Sequence, residues 1–132
     1  MIRKIMILCL TVLLLSGCVP NEIRVENHTG ENEGKAEEIF KDDTRLKAVA
    51  ALFHEDQLLV GIRVKTFSRF TKRKIAKEIK KELEKEYSEM EVTVSADSKI
   101  LMETSKLLDK QEEDKKIKKK IKHVISLSEE ET

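Results

Sequence analysis

The stretch KAVAALFHEDQLLVGIRVK, residues 47–65, decides the fold of this chain. Two apolar runs flank the four polar residues at 54–57. In the second run Val60, Ile62 and Val64 alternate with other side chains, as they do in a strand that buries one face. Two β-type runs joined by a short polar connection predict an antiparallel β-hairpin.

A segment rich in lysine and glutamate follows, TKRKIAKEIKKELEKEY at residues 71–87. Its apolar residues Ile75, Ile79 and Leu83 recur every four positions, so they share one face of a helix. Thr71 fits the N-cap position, where a side-chain oxygen accepts a backbone N–H. We therefore expect an amphipathic helix that packs its apolar face on the core.

The residues after this helix indicate a third strand and a further helix. Residues 90–95, MEVTVS, alternate apolar and polar side chains, and Asp97 or Ser98 can cap the helix that follows. The apolar positions of that helix are Ile100, Leu101, Leu107 and Leu108. A strand–helix–strand connection is normally a right-handed crossover between parallel strands. We expect the third strand to lie parallel to the second, with the first strand between them.

Upstream of the hairpin, GKAEEIFKDDTRLKAV at residues 34–49 has helical spacing. Its apolar positions are Ala36, Ile39, Phe40 and Leu46. The predicted order is helix, strand, strand, helix, strand. We expect an α+β domain over residues 34–108, with a small three-stranded sheet, helices on one face, and a charged C-terminal helix beyond it.

Residues 1–17 have the three parts of a secretory signal. Arg3 and Lys4 are positive, residues 5–15 are almost wholly apolar, and the small residues Ser16 and Gly17 follow. The apolar run is too short for a membrane helix, which needs about 20 residues. We expect residues 1–17 to be a signal peptide that is removed.

Leu15-Ser16-Gly17-Cys18 resembles the bacterial lipobox, in which the cysteine sulfur receives a diacylglyceryl group before cleavage on its N-terminal side. This resemblance implies that Cys18 is the first mature residue, the lipidation site and the membrane anchor. The alternative is an ordinary signal followed by a chance cysteine. Cys9 leaves with the signal, so the mature chain has no free thiol for a disulfide, a metal or a nucleophile.

Residues 19–33, VPNEIRVENHTGENE, contain the only proline of the chain and show no sustained apolar period. A segment of this composition buries too little apolar surface to offset its chain entropy. We expect residues 18–33 to form a lipidated, flexible tether between the membrane and the domain.

Residues 109–132 form a charged tail in which lysines alternate with a narrow apolar stripe. The stripe consists of Ile117, Ile121, Val124 and Ile125. Because charge flanks it on both sides, we expect a peripheral helix that the domain does not need for stability. The alternative reading is a basic surface that meets anionic lipid or wall polymer.

The balance of charge argues against a nucleic-acid-binding protein. Without Arg3 and Lys4, 24 of the 26 basic residues remain, against 25 acidic residues. A nucleic-acid-binding protein normally has a basic excess. We expect no nucleic-acid partner.

No pattern of catalytic residues stands out. His28, His54 and His123 fall in the expected tether, the hairpin turn and the tail, without the spacing of a metal site. No serine lies in a Gly-x-Ser-x-Gly setting, and Gly61 stands alone in a strand. We expect no enzymatic activity, no catalytic or metal-binding residues and no cofactor.

Taken together, the lipobox at Cys18, the hairpin KAVAALFHEDQLLVGIRVK, the Lys-rich helix and the junction MEVTVSADSKI resemble the sporulation lipoproteins of the YhcN/YlaJ type in endospore-forming bacteria. The most specific part is the strand that ends in Val-Ser-Ala-Asp, residues 94–97. The charged C-terminal extension makes the chain more similar to the YlaJ kind. The resemblance implies a lipid-anchored protein of the forespore or spore membrane that supports germination, and it implies no enzymatic activity.

Three functions are compatible with these features. The first is an accessory lipoprotein that acts through contacts with spore membrane or wall proteins. The second is a module that binds anionic lipid or wall polymer through Lys115 to Lys122 and through the basic face of the Lys72 to Lys85 helix. The third is a subunit of a ring-forming oligomer.

Overall fold

In a computed structural model, residues 22–65, 68–109 and 114–130 are described, and they form one mixed sheet with helices on it. The strands are β1 (Glu22–Asn27), β2 (Leu46–His54), β3 (Gln57–Val64) and β4 (Glu91–Ser95). The helices are α1 (Gly34–Asp42), α2 (Arg69–Glu86), α3 (Ser98–Asp109) and α4 (Asp114–Glu130). The α+β class predicted from sequence is confirmed, although the sheet has four strands and not three.

The central hairpin forms where the sequence predicts it. β2 and β3 pair antiparallel, with Phe53 opposite Leu58 and Ala51 opposite Val60. Glu55 in the turn has a φ of 53°, the left-handed conformation that a tight connection requires.

β1 lies in the segment that we expected to be a flexible tether, so that expectation is wrong for residues 22–27. It pairs parallel with β2 along its whole length. Ile23 and Val25 pack against the core on one face of the sheet, while the alternate positions of the strand are charged. Two apolar residues are too few to reveal a strand by periodicity. The folded domain therefore includes residues upstream of position 34.

The place of β4 also differs from the expectation. It is parallel to β3, as predicted, but it is hydrogen-bonded directly to β3 rather than separated from it by β2. β1 occupies the outer edge of β2, so the open edge of β3 is the one left for β4. The parallel pair β1/β2 runs in the opposite direction to the parallel pair β3/β4. α1 connects the first pair and α2 the second, and both helices pack on the same face of the sheet. The two β–α–β crossovers therefore have opposite handedness.

Helices cover both faces of the sheet, and the prediction of helices on one face is wrong. α1 and α2 bury Phe40, Ile79 and Leu83 against one face of the hairpin. α3 and α4 bury Ile100 and Ile121 against the other. Because both faces of β2 and β3 are apolar, a single layer of helices would leave one of them in water.

The C-terminal helix is part of this second layer, which contradicts the expectation of a peripheral tail. Ile117, Ile121 and Val124 are 4%, 3% and 2% exposed. They pack in one cluster with Leu52 and Leu59 of the hairpin. The lysines of α4 lie on the opposite side of the helix, and five of them are exposed: Lys115, Lys116, Lys118, Lys119 and Lys122.

Gly61 allows the second layer to lie close to the sheet. A Cβ atom at position 61 would lie 2.6 Å from the Cα of Leu101 in α3. Real Cβ atoms do not approach backbone atoms this closely, so glycine here serves helix–sheet packing. This explains the lone glycine between Val60 and Ile62 in β3.

Candidate functional site

The sheet register gathers distant segments at two opposite ends of the domain. At one end Glu22 pairs with Ala48, which pairs with Arg63, while Lys65 donates its backbone N–H to the Arg45 carbonyl at 2.9 Å. α2 starts five residues after the end of β3 and α3 starts three residues after the end of β4, so the starts of both helices lie at this same end. We call it the basic end, made of residues 22, 45–48, 63–65, 68–74 and 95–99.

The other end holds the hairpin turn. The His28 N–H donates to the Phe53 carbonyl, and the Glu91 N–H donates to the Asp56 carbonyl. These bonds join the end of β1, the turn and the start of β4. We call this the hairpin end, made of residues 27–33, 54–57 and 87–91.

The two ends carry opposite charge. The basic residues of the basic end are Arg45, Lys47, Arg63, Lys65, Arg69, Lys72, Arg73, Lys74 and Lys99, and its acidic residues are Glu22 and Asp97. The segments that define the hairpin end contain no lysine or arginine, and their acidic residues are Glu31, Glu33, Glu55, Asp56, Glu89 and Glu91. Lys118 of α4 reaches this end and lies 3.5 Å from Glu55. The near-zero net charge of the chain therefore conceals a sheet whose two ends differ in charge.

Most of the positive charge comes from one continuous segment, residues 63–77, which contains no acidic residue. Its basic residues are Arg63, Lys65, Arg69, Lys72, Arg73, Lys74 and Lys77. This segment contains the end of β3 and the first half of α2. The sequence alone shows this segment as a run of positive charge, but only the sheet register shows which other basic residues lie beside it.

Phe70 lies within this positive charge and is 86% exposed. It is in the first turn of α2 and five residues before the buried Ile75, which places it roughly 140° around the helix from that residue. Lys74 and Lys77 follow it at the i+4 and i+7 positions of the same outer face. An aromatic ring that contributes nothing to the core thus stands beside lysines on the outside of the helix.

The N-terminus of α2 lies three residues earlier than we expected. Ser68, rather than Thr71, is the N-cap, and its hydroxyl accepts a hydrogen bond from the Thr71 N–H at 3.5 Å. The helix therefore begins at Arg69. This earlier start brings Phe70 into the helix, whereas the sequence pattern left it outside.

The charges on α2 oppose the helix dipole. The N-terminus of a helix carries partial positive charge and favours acidic side chains. α1 follows this rule, with Glu37 in its first turn and Lys41 in its last. α2 has no acidic residue in its first turn but has Arg69 and Lys72 there. These cations therefore lie where they are least favourable for the stability of the helix.

One ion cluster near the basic end is satisfied internally. The Arg45 guanidinium contacts Asp43 at 2.8 Å and Glu78 at 2.6 Å. Hydrogen bonding from Arg45 lowers the pKa of the Asp43 carboxyl, despite partial burial that acts the other way. The same two carboxylates raise the pKa of Arg45. The charge of Arg45 is thus neutralised within the domain.

The hairpin end is organised around Tyr87, which is 3% exposed. Its hydroxyl donates to the Asn32 carbonyl and accepts from the Ala36 N–H, the latter at 3.0 Å. Its ring lies edge-on to that of Phe53, with 5.2 Å between centroids. Burial raises the pKa of Tyr87 above its ordinary value. The side chain therefore holds the connection before α1 against the end of the hairpin.

The histidines do not form a reactive group. The rings of His28 and His54 lie 6.0 Å apart, and His28 contacts Glu26 at 3.0 Å. His123 is on α4, on its exposed side. Among the described residues, no group of three or more histidine, cysteine or acidic side chains is arranged to hold a metal ion.

Two open clefts lie on the outside of the domain. One is between α1 and α2 and is lined mainly by charged side chains, among them Glu38, Asp42 and Glu82. The other, between β1 and α3, is crossed by the Arg24–Asp109 ion pair at 2.5 Å. The lining of the second cleft is mixed and includes Leu101 and Met102. Both clefts are open, unlike the enclosed and mainly apolar pockets that usually hold small molecules.

Cys18, the predicted lipidation site, lies outside the described residues. In residues 22–65, 68–109 and 114–130, no helix is both long enough and apolar enough to cross a bilayer. Comparisons with protein-family models, with curated proteins and with solved structures gave no match.

Proposed function

We propose that this protein is a lipid-anchored, extracytoplasmic accessory protein of the forespore or spore membrane. It acts through contacts with other proteins and supports germination. The observation that carries the proposal is the sequence Leu-Ser-Gly-Cys at residues 15–18, directly after a positive start and a short apolar run. The two acyl chains of the diacylglyceryl group on Cys18 would hold the protein stably at the membrane.

The surface of the domain supports a role in contacts rather than in chemistry. Both clefts are open to solvent, and among the described residues the most exposed large apolar side chain, Phe70, is on the outer face of a helix. Such features serve association with another surface, because catalysis needs reactive groups held in a water-excluding site. The resemblance of the lipobox, hairpin and Val-Ser-Ala-Asp strand to sporulation lipoproteins supports the assignment to the spore.

The lipid anchor is tested by replacing Cys18 with alanine in the full precursor. We expect the Cys18→Ala protein to remain an unprocessed precursor that carries no lipid. Cys9→Ala is the matched control, because Cys9 lies inside the apolar run and outside the lipobox. Incorporation of labelled fatty acid by wild type and Cys9→Ala, but not by Cys18→Ala, is the expected result. Lipid labelling of Cys18→Ala would exclude the assignment.

The location is tested by immunoblotting fractions from growing cells and from dormant spores. We expect the protein in the membrane fraction of spores and its absence from growing cells. An equal amount in both would exclude the spore-specific role while leaving the anchor intact. The proposed support of germination predicts slower germination of spores that lack the protein, with rescue by wild type but not by Cys18→Ala.

A further inference from the structure

We infer that the basic end docks on the surface of an anionic phospholipid bilayer, with Phe70 inserted at the level of the headgroups. This inference rests on the proposed anchor at Cys18. It adds an orientation: the basic end of the sheet faces the membrane and the hairpin end faces away from it. The lipid then holds more than the N-terminus, because the domain itself is a second point of attachment.

The position of the anchor is the first reason. β1 begins at Glu22, which is at the basic end. Only Val19, Pro20 and Asn21 separate it from Cys18. Four residue steps span at most about 14 Å even when fully extended. A lipid in the bilayer therefore keeps the basic end close to the headgroups, whereas the expectation of a long flexible tether allowed the domain any orientation.

The charge of this end is the second reason. Arg69, Arg73 and Lys74 are exposed in the first turns of α2, and Arg63 and Lys65 are exposed at the end of β3. Basic side chains within a Debye length of an anionic leaflet are attracted to it, and their effects accumulate. The acidic hairpin end is repelled by the same surface. The polarised domain is thus oriented by the field of the membrane.

Phe70 is the third reason. A largely exposed aromatic ring beside lysines is unfavourable in water but suits the interface, where the ring enters the acyl boundary and the lysines reach the phosphates. Lys74 and Lys77 share its face of α2, so the ring and the charges meet one plane together. Anionic headgroups would also offset the unfavourable placement of Arg69 and Lys72 at the positive N-terminus of α2.

The lysines of α4 do not offer the same combination. Its apolar stripe is already buried against the hairpin, so the exposed side presents charge without an inserting residue. One of these lysines, Lys118, also lies 3.5 Å from Glu55 at the hairpin end. α4 is therefore not the docking surface, and charge changes on it serve as matched controls.

The test uses the mature chain with Cys18→Ser, which keeps every described residue but removes the anchor. Binding is measured by co-sedimentation with vesicles of phosphatidylglycerol and, separately, of phosphatidylcholine. We expect binding to phosphatidylglycerol at low salt, weaker binding at ~0.15 M salt because exposed charges are screened, and none to phosphatidylcholine. Failure to bind phosphatidylglycerol at low salt would overturn the inference.

Two variants and one control locate the surface. Arg69→Glu/Lys74→Glu reverses two exposed charges of the basic end, and we expect it to weaken partitioning by about ten-fold or more. Phe70→Ser removes the inserting ring and is expected to weaken partitioning by about five-fold. Lys116→Glu/Lys119→Glu makes the same charge change on α4 and is expected to weaken partitioning by less than about three-fold. Circular dichroism checks that each variant is folded, which the exposure of all these side chains favours.

Each outcome has one reading. Equal losses from the α2 and α4 charge variants, or full binding by Phe70→Ser, would overturn the inference in favour of non-specific attraction. A loss confined to the basic end supports it. Failure of the lipid anchor appears in the labelling of the precursor and leaves vesicle binding by Cys18→Ser unchanged. Failure of docking leaves lipid labelling unchanged, so the two can be told apart.

Discussion

The two aromatic residues at the ends of α2 are in opposite environments. Tyr87, just beyond its C-terminus, is 3% exposed and bonded to Asn32 and Ala36, whereas Phe70 in its first turn is 86% exposed. The hairpin end uses its aromatic and polar groups for folding. The basic end breaks two local rules, with an apolar ring in water and cations at a helix N-terminus. Rules broken without compensation inside the domain indicate a requirement outside it.

The largest expected effect comes from removing the helix that covers the second face of the hairpin. Ending the chain after Asp109 removes Ile117, Ile121 and Val124 from their cluster, and each contributes ~1.5–3 kcal/mol when fully buried. We expect the melting temperature to fall by more than about 10 °C. Calorimetry measures this, with Lys116→Glu/Lys119→Glu as a control that should melt like wild type. An unchanged melting temperature after truncation would restore the picture of a peripheral tail.

The next effect compares the two aromatic residues directly. Tyr87→Ala should lower the free energy of unfolding by about 3–5 kcal/mol, as large-to-small changes of buried aromatic residues do. Phe70→Ala should change it by less than about 0.5 kcal/mol, since the ring is exposed. Urea unfolding of both variants gives the values. Similar losses from the two would mean that Phe70 belongs to the folded core.

These two comparisons also mark how far the sequence could predict the fold. The hairpin, α2 and β4 were predictable because each has a sustained period of its own: alternation in β3 and β4, and a four-residue repeat in α2. β1 was not predictable, because Ile23 and Val25 are its only apolar residues and its stability comes from pairing with β2. The burial of α4 depends on the second apolar face of the hairpin, which only the assembled sheet presents.

The candidate site was predictable only in part. The acid-free run at residues 63–77 is visible in the sequence, as is the lipobox at Cys18. The start of β1, four residues after Cys18, lies at the same end of the sheet as the acid-free run, and this follows from the parallel pairing of β1 and the antiparallel pairing of β3 with β2. Strand register depends on contacts between distant segments, so no local pattern gives it.

A smaller effect distinguishes the hairpin end by its response to alkali. Burial raises the pKa of Tyr87, so the neutral phenol is favoured in the folded state. Its contribution to stability is complete below the unfolded pKa of about 10 and is lost as pH rises through the higher folded value. We expect stability to fall above pH ~10 in wild type and less steeply in Tyr87→Phe. Tyr87 is the only tyrosine, so its phenolate absorbance reports this titration directly; titration at the ordinary pKa would contradict the role of burial.

The smallest effect runs in the opposite direction at the basic end. Arg69→Glu places an acidic side chain in the first turn of α2, where it suits the dipole, and should raise the free energy of unfolding by ~0.3–1 kcal/mol. The same variant should bind phosphatidylglycerol vesicles less well. Lys119→Glu, beyond the first turn of α4, should give no such gain in stability. Destabilisation by Arg69→Glu would show that Arg69 stabilises the fold. The basic end would then no longer differ from the hairpin end in this respect.

The orientation of the domain on the membrane can be measured most directly with tryptophan, which the chain lacks. Phe70→Trp places one fluorophore at the basic end, and Glu89→Trp places one at the exposed hairpin end beyond α2. Both are made in the lipidated protein and reconstituted into vesicles that contain brominated phosphatidylglycerol. We predict a blue-shifted and strongly quenched emission from position 70, and an unshifted, unquenched emission from position 89. Equal quenching at both positions, or quenching at 89 alone, would contradict the account.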